Sequence, residues 1–416
     1  MSAEVITIGS ELLNGLARDS NGPRIVDQLA SIGLSVHFRT TVGDDAARIG
    51  EAFRTAGHRA QAIVATGGLG ATPDDMTRKV IATVFRRRLV LEETVLERMR
   101  ARFRERGIEM PVINEAQALV PRGARIIENP RGLAPGLHFT HQDADYFCLP
   151  GVPAEAEAMM TGYVLPYLRA RHPLAAPLRR VIRTSGISES VLAERLQPLE
   201  STEERIRFGY LPHSSGVDIY LVPLDPDAGW ASATLDRLER GVREAAGETV
   251  YGGEGETLSG VLGRLLFDRG LTLATAESIT GGSMGVLVTD TPGASRYYLG
   301  GVVAYANRAK QELLGVQAAT LGKHGAVSAE VAAEMAAGAR ERFGADLALA
   351  STGIAGPDGG SPEKPVGLVH LGLATREDTI TARYVFGGTR AEIAARSASY
   401  ALDLARRHLL GRVGAT

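Results

Sequence analysis

The chain contains a single cysteine, Cys148, in 416 residues, which excludes an intramolecular disulfide framework and any zinc site built from cysteines. It therefore suits a reducing compartment. Charge imbalance is also nearly absent. With 46 basic residues against 48 acidic ones the net charge is −2, so no global positive field exists to hold a nucleic-acid backbone or an anionic membrane surface. Aromatic residues are scarce, at 5%. No apolar run approaches the roughly 18 residues that span a bilayer, and the opening MSAEVITIGSELLNG lacks the basic segment and apolar stretch of a secretory signal. The expectation is a cytoplasmic protein that contacts neither membrane nor nucleic acid directly. Glycine, by contrast, is abundant, with 49 residues where the usual share is roughly 7%. Such an excess marks tight turns and places where backbone approaches a ligand.

At about 150 residues per domain the length predicts about three units. In the first, 1–170, the strand Val5 to Ile8 leads through Gly9-Ser10 into a helical run from Glu11. A second strand (Gly33 to Arg39) precedes a helix (Asp44 to Ala56), and a third (Ala62 to Ala65) runs into Thr66-Gly67-Gly68-Leu69-Gly70. This alternation predicts a doubly wound, mostly parallel sheet covered on both faces. Pro166, Pro173 and Pro177 punctuate the boundary that follows. The unit 171–250 reads as a small α+β domain suited to spacing or dimerisation, and GETVYGGEGE (247–256) reads as a flexible connector. The unit 251–416 is expected to be α/β, starting with a helix (Leu258 to Asp268) and ending with an amphipathic helix capped by Thr389.

In the first unit, TGGLGATPDDMT (66–77) places three glycines, hydroxyls and an acidic pair between a strand and a helix. Glycine amides approach phosphate oxygens, and two carboxylates can hold a divalent cation that bridges a diphosphate. Otherwise the stretch is a tight turn with Asp74 and Asp75 as solvated first-turn residues. Gly-Ser-Glu11-Leu-Leu-Asn14-Gly and Asp44-Asp45 follow neighbouring strands, and a doubly wound sheet gathers such turns at one carboxyl edge.

These motifs, with Asp19-Ser20-Asn21, Asn129-Pro130-Arg131-Gly132-Leu133-Ala134-Pro135-Gly136 and Leu149-Pro150-Gly151-Val152-Pro153, resemble the molybdopterin-binding-like domain that opens CinA-like (competence/damage-inducible A) proteins. The resemblance implies metal-dependent hydrolysis of ADP-ribose-type pyrophosphates. Its cation would be magnesium, manganese or cobalt, held at Asp74, Asp75 and Asp44, and its substrate would contact Thr66, Gly67, Gly68, Gly70 and Asn14. The chain departs from the family at Ala71, where proline is usual after GGLG.

The last unit resembles the nicotinamide mononucleotide deamidase domain of the same family. The matching stretches are Thr275-Ala-Glu277-Ser278-Ile-Thr280-Gly281-Gly282, Pro292-Gly-Ala-Ser295, GGVVAYANRAK (300–310), His324-Gly-Ala-Val-Ser328 and Ser351-Thr352-Gly-Ile-Ala-Gly356-Pro-Asp358-Gly-Gly. The resemblance implies deamidation of nicotinamide mononucleotide to nicotinic acid mononucleotide and ammonia, with no cofactor. Amide hydrolysis needs a nucleophile, a base and donors for the oxyanion. Ile279 stands where relatives commonly carry cysteine, so a thiol is excluded. No histidine clusters with a serine, His324 being the nearest. What remains is a Ser/Lys arrangement in which a lysine kept neutral by burial takes the serine proton, the dyad the resemblance also implies.

Lys310 is the candidate base, and two serines compete as nucleophile. Ser278, leading into Thr280-Gly281-Gly282 at a helix start, is equally suited to cradling the substrate's phosphate, which leaves Ser295 for attack. The opposite assignment, Ser278 in a nucleophile-elbow-like turn, stays open. Tyr305 orients the amide or relays a proton, or is a core aromatic. Thr352 and Arg390 are contacts to ribose or phosphate, or else caps and surface charge.

His138 and His141 lie three apart on a strand and point to opposite faces, which argues against zinc, and Arg86-Arg87-Arg88 reads as a solvated face. The expectation is a bifunctional, homodimeric hydrolase of nicotinamide mononucleotide and ADP-ribose. The alternatives are a nucleotide-sensing scaffold linked to competence or DNA damage, and a molybdopterin-handling enzyme.

Overall fold

The computed structural model describes residues 2–171, 178–224 and 228–411. Pro173 and Pro177, two of the expected boundary prolines, lie outside them. The chain gathers into two compact units, Met1–Pro177 and Leu178–Thr416, so the middle and C-terminal segments share one unit.

Unit one contains β1 (Ser2–Ile8), β2 (Ser35–Val42), β3 (Ala62–Thr66), β4 (Leu89–Leu91), β5 (Leu119–Pro121), β6 (Arg125–Ile127), β7 (Gly136–His141) and β8 (Ala144–Leu149). Its main sheet has the order β2-β1-β3-β8-β7-β6, while β4 and β5 pair separately. The first four strands are parallel and the last two antiparallel. This is the doubly wound, mostly parallel sheet that the strand-helix rhythm predicts. β1 and β3 run as continuous apolar stretches because both of their faces are buried. Ile6, Ile63 and Phe53 pack in one core, and Val5, Val64 and Leu29 in the other.

Two local expectations change in unit one. The helical run from Glu11 is a single turn, Ser10–Leu13, and the chain leaves it through Gly15 at φ 73°. Pro166 does not mark a boundary but sits inside the helix Leu165–Arg171. The preceding turn, Met160–Val164, is π-helical, and its wider spacing accommodates a ring that cannot donate to the helix ladder.

Unit two begins with β9 (Arg180–Thr184), β10 (Ile206–His213), β11 (Gly216–Pro223) and β12 (Val250–Gly253), an antiparallel sheet of order β10-β11-β9-β12. The segment expected to be a flexible connector is therefore a 3-10 turn, Gly247–Thr249, followed by a strand on β9. Thr249 and Val250 are buried, and that apolar anchor outweighs the glycines around it. Arg406, itself buried, donates to the carbonyls of Glu248 (2.7 Å) and Val250 (3.3 Å) and pairs with Asp403 (2.7 Å).

The second sheet of this unit contains β13 (Leu273–Glu277), β14 (Tyr298–Val303), β15 (Leu347–Gly353), β16 (Leu368–Ala374) and β17 (Thr379–Val385), in the order β14-β13-β15-β16-β17. β14, β13 and β15 are parallel, and β16 and β17 antiparallel. The carboxyl ends of the three parallel strands thus open at one edge, where ligand sites form in α/β sheets. Among the described residues, no helix is long and apolar enough to cross a membrane.

Candidate functional site

At the carboxyl edge of β13, β14 and β15 the chain buries a lysine. Lys310, in the helix Asn307–Leu314, is only 2% exposed. Its Nζ lies 3.0 Å from Ser278 Oγ, 2.8 Å from the carbonyl oxygen of Ala304 and 3.1 Å from that of Tyr305. No carboxylate among the described residues forms an ion pair with it, and burial pushes its pKa below the ordinary lysine value. A neutral amine has two N–H groups and one lone pair. The two carbonyls take the N–H groups and leave the lone pair for the Ser278 hydroxyl, the arrangement a general base requires.

Ser278 is held from several sides. Its amide donates to the Ser351 carbonyl (3.0 Å), while the Ala304 amide donates to the Glu277 carbonyl (2.8 Å), fixing the Tyr305 loop beside it. The Glu277 side chain is 2% exposed and accepts from Thr280 Oγ1 (2.7 Å) and from the amides of Gly282 (2.8 Å), Met284 (3.0 Å) and Gly285 (2.8 Å). Those amides begin the helix Ser283–Thr289. The chain's own carboxylate therefore fills the anion position expected to cradle a phosphate. The amides of Ile279 and Thr280 donate to no acceptor among the described residues.

Several candidate residues are placed differently from expectation. Ser295, favoured for attack, is exposed on the 3-10 turn Ala294–Arg296 and makes no hydrogen bond to Lys310. Thr280 is buried between Glu277 and Ser351, and Gly281 closes a turn onto the Ser278 carbonyl. Thr352 is buried and donates to the Ala326 carbonyl at 2.7 Å. None of the three presents a free side-chain donor. Tyr305 is no core aromatic, being 61% exposed. Its hydroxyl accepts from Arg390, which also donates to the Gly356 carbonyl at 3.1 Å. Arg390 opens the helix Arg390–Leu409, whose start is set by a Thr389/Glu392 capping box, so the guanidinium bridges the loops after β14 and β15.

In unit one the glycine turn lines a polar cleft of about 640 Å³, together with Glu11, Asp44, Asp74, Asp75, Arg106, Gln117, Arg131 and Glu155. Gly67 has φ 109°, and a Cβ there would stand 2.1 Å from the Ile8 carbonyl oxygen, so only glycine fits. Gly68, also at positive φ, lies against Thr77. Both carboxylate oxygens of Asp75 are engaged by the loop itself. Its Oδ1 accepts from the Gly70 amide (2.7 Å), and its Oδ2 from the Thr72 amide (2.8 Å) and hydroxyl (2.5 Å). These bonds clasp the loop across Ala71 and supply the rigidity that a proline would otherwise give.

Asp44 is similarly occupied. Its Oδ2 accepts from the Ser10 amide at 2.7 Å, and its own amide donates to Ser10 Oγ at 2.9 Å. The side chains of Asp74 and Glu11 are exposed, and neither carboxylate has a hydrogen-bond partner among the described residues. No group of three or more His, Cys, Asp or Glu among the described residues is placed to hold a metal. The expected triad of Asp74, Asp75 and Asp44 is therefore not a cation cage. Thr66 is buried, donating to the Pro150 carbonyl and accepting from Asn21. Asn14 is exposed and outside the cleft wall.

Three family models match successive stretches of the chain. Residues 4–170 match the family model described as a probable molybdopterin binding domain, 179–252 that of the damage-inducible protein CinA KH domain, and 255–409 that of the CinA C-terminal domain. A CinA-like protein of Gemmatimonas aurantiaca is 41% identical over 418 residues, spanning 100% of this chain and 98% of the relative. The chain belongs to the CinA-like family. A second CinA-like protein, from Syntrophotalea carbinolica, is 41% identical over 418 residues, 98% of each chain. The crystal structure of CinA from Thermoplasma acidophilum is 36% identical, with a TM-score of 0.36, covering 39% of this chain and 94% of that one.

In this CinA-like chain, reasoning from sequence missed Glu277 as the clasp of the serine turn. A charged residue ending the apolar strand LATAE was the available signal. It also missed Glu11 as a free carboxylate, and Gln117, Arg106 and Arg131 as cleft wall. Those three lie far from the glycine turn in sequence and carry no spacing signal of their own.

Proposed function

We propose that unit two is an amidohydrolase that converts nicotinamide mononucleotide and water to nicotinic acid mononucleotide and ammonia. One observation carries this reading: Ser278 Oγ lies 3.0 Å from a buried lysine whose N–H groups already have carbonyl acceptors. Ser278 Oγ attacks the carboxamide carbon while Lys310 takes its proton. The amides of Ile279 and Thr280, which lack acceptors, are the donors available to the oxyanion. Lys310 then protonates the departing nitrogen, and ammonia leaves an ester on Ser278. A water, deprotonated by the same lysine, attacks that ester, releasing the acid and restoring the serine. Because Glu277 fills the helix start, the substrate's phosphate goes to Arg390, with Tyr305 ordering the ring above the dyad. Ammonia release from nicotinamide mononucleotide tests the proposal. Release by a Lys310→Ala variant at the parent rate would defeat it.

Unit one fits a second hydrolytic role, cleavage of ADP-ribose-type pyrophosphates, because its cleft joins a glycine turn to free carboxylates and free guanidinium groups. Magnesium is commonly held by one or two carboxylates together with substrate phosphates. Asp74 and Glu11 provide hard oxygen donors of that kind, and the ion would neutralise diphosphate charge. Within the chain, Asp75 and Asp44 shape the turn, and Arg106 and Arg131 draw the anion in. AMP formation from ADP-ribose, with and without added divalent metal, is the test. The lack of a three-carboxylate cage favours one rival, a cleft that binds nucleotides without turning them over, and the same assay separates the two.

A further inference from the structure

A serine, a histidine and an aspartate meet at the tip of the antiparallel sheet of unit two, on strands that neither candidate site uses. β10 and β11 turn through Ser214 and Ser215, and His213 pairs with Gly216 across the hairpin. Ser215 Oγ lies 3.2 Å from His213 Nδ1, and the Ser215 amide donates to the same nitrogen at 3.3 Å. An amide N–H can only donate, so Nδ1 carries the lone pair and the proton of the neutral ring sits on Nε2. That nitrogen lies 3.4 Å from Asp218 Oδ1. Asp218 is 7% exposed, and this oxygen is sealed from solvent without a hydrogen bond of its own. A buried carboxylate oxygen needs a donor, and a slight turn of the His213 ring supplies one. The hairpin tip itself is held. Gly186 donates its amide to the Ser215 carbonyl at 2.7 Å, and a Cβ on Gly216 would stand 2.2 Å from the Thr184 carbonyl oxygen, so the tip rests directly on the end of β9. Ser215 is half-buried and His213 exposed, which leaves the hydroxyl open to a ligand while the carboxylate stays dry.

We propose that Ser215 is a nucleophile that takes an acyl group from a small activated acyl donor, an aryl ester or a thioester. Ser215 Oγ attacks the acyl carbon as His213 Nδ1 takes its proton, and Asp218 stabilises the imidazolium that forms. The bond to the phenolate or thiolate breaks, the proton passes from His213 to that leaving group, and an ester on Ser215 remains. Water, deprotonated by His213, then cleaves the ester and restores the serine. The Ser214 amide donates to no acceptor among the described residues and is the donor at hand for the carbonyl oxygen. Leu211 stands opposite Asp218 on the same face of the sheet and is 54% exposed, so it offers apolar contact to a short acyl chain. The proposal stands apart from the deamidase reading of Ser278 and Lys310 and holds whether or not that reading does.

Incubation of the full chain with p-nitrophenyl acetate, followed by peptide mass mapping over time, tests it. Acetyl is expected on Ser215, and Ser278 falls in a different peptide, so the two serines are scored separately. His213→Asn keeps an oxygen where Nδ1 stands, and with it the contacts of the turn, but cannot take a proton. It is expected to slow acetylation of Ser215 about 100-fold or more with an unchanged melting temperature, since the residue is exposed. Asp218→Asn, which no longer fixes the ring proton on Nε2, is expected to slow it about tenfold or more. Ser215 left unmodified in the parent chain, or acetylated in His213→Asn at the parent rate, would overturn the proposal. So would a slowed His213→Asn variant whose melting temperature has fallen, because the ring would then be holding the turn rather than taking the proton.

Discussion

The two candidate sites use buried and occupied groups in opposite ways. In unit two the candidate pair, Ser278 and Lys310, is buried. Lys310 is desolvated, its N–H groups have acceptors, and Glu277 holds the turn that carries Ser278. In unit one two cleft carboxylates, Asp75 and Asp44, are tied to backbone amides, and the two left without a partner among the described residues, Asp74 and Glu11, are exposed. The first site is organised before substrate arrives. The second has a rigid frame, but its chemistry depends on what the ligand brings. An acidic residue after a glycine turn is thus as able to hold the turn as to hold a metal, and only its hydrogen bonds tell the two apart.

That contrast can be tested, beginning with its largest effect. Lys310→Met is expected to lower ammonia release from nicotinamide mononucleotide about a thousandfold or more, as loss of a member of a catalytic unit does. Its melting temperature should not fall, because a desolvated amine is replaced by an apolar chain of similar length. Activity alongside a melting curve checks both.

The pH profile comes next. Lys310 accepts a proton only when neutral, and burial lowers its pKa. The deamidation rate should therefore rise with pH along a limb lying below the ordinary lysine value of about 10.4. The stability linkage has a related sign. The folded state binds this proton less tightly than the unfolded chain, so stability is fullest above the unfolded lysine value and declines as pH falls through the folded one. A rate limb at the free-lysine value would remove the desolvated base from the account.

Glu277→Gln should cost about 2 kcal/mol or more, since a buried carboxylate accepting several N–H groups is replaced by an amide that turns a donor toward them. The turnover number should fall and KM change little, measured by steady-state kinetics and denaturant unfolding. A drop in stability with normal turnover would separate the clasp from the nucleophile.

In unit one the matched pair is Asp75→Asn and Asp74→Asn. The former should destabilise by about 1 kcal/mol through the loop and leave the metal requirement alone. The latter should leave stability unchanged and raise the magnesium concentration for half-maximal AMP formation about tenfold. Exchange of these outcomes would return Asp75 to the metal. The smallest effect belongs to Ser295→Ala, expected to stay within about twofold of the parent in ammonia release because the residue is exposed and away from the lysine.

Much of the architecture is legible in the sequence. The strand-turn-helix rhythm of unit one reports a sheet buried on both faces, and Thr389 announces the start of the last helix. Lys310 is legible through its motif. Which serine it meets is not, because Ser278 and Lys310 are 32 residues apart in sequence and their distance is decided by how β13 and β14 pair. The strand β12 was hidden for another reason. Glycine-rich composition suggests flexibility, yet a strand at the side of β9 needs only two buried residues and backbone hydrogen bonds. Thr66, Thr280 and Thr352 sit in motifs that suggest ligand contact, but each hydroxyl completes an internal hydrogen bond that no local pattern could reveal.

The grip of Arg406 on the carbonyls of Glu248 and Val250 affects how this chain can be divided. A cut at residue 250 would take the final strand from the antiparallel sheet and part the two carbonyls that a buried guanidinium holds, damaging both fragments at once. A cut after β12, among residues 254–256, leaves the sheet whole, but Arg406 still loses its carbonyls if the pieces separate. Limited proteolysis in that short link should therefore nick the backbone without releasing the fragments, and the two should part only in denaturant.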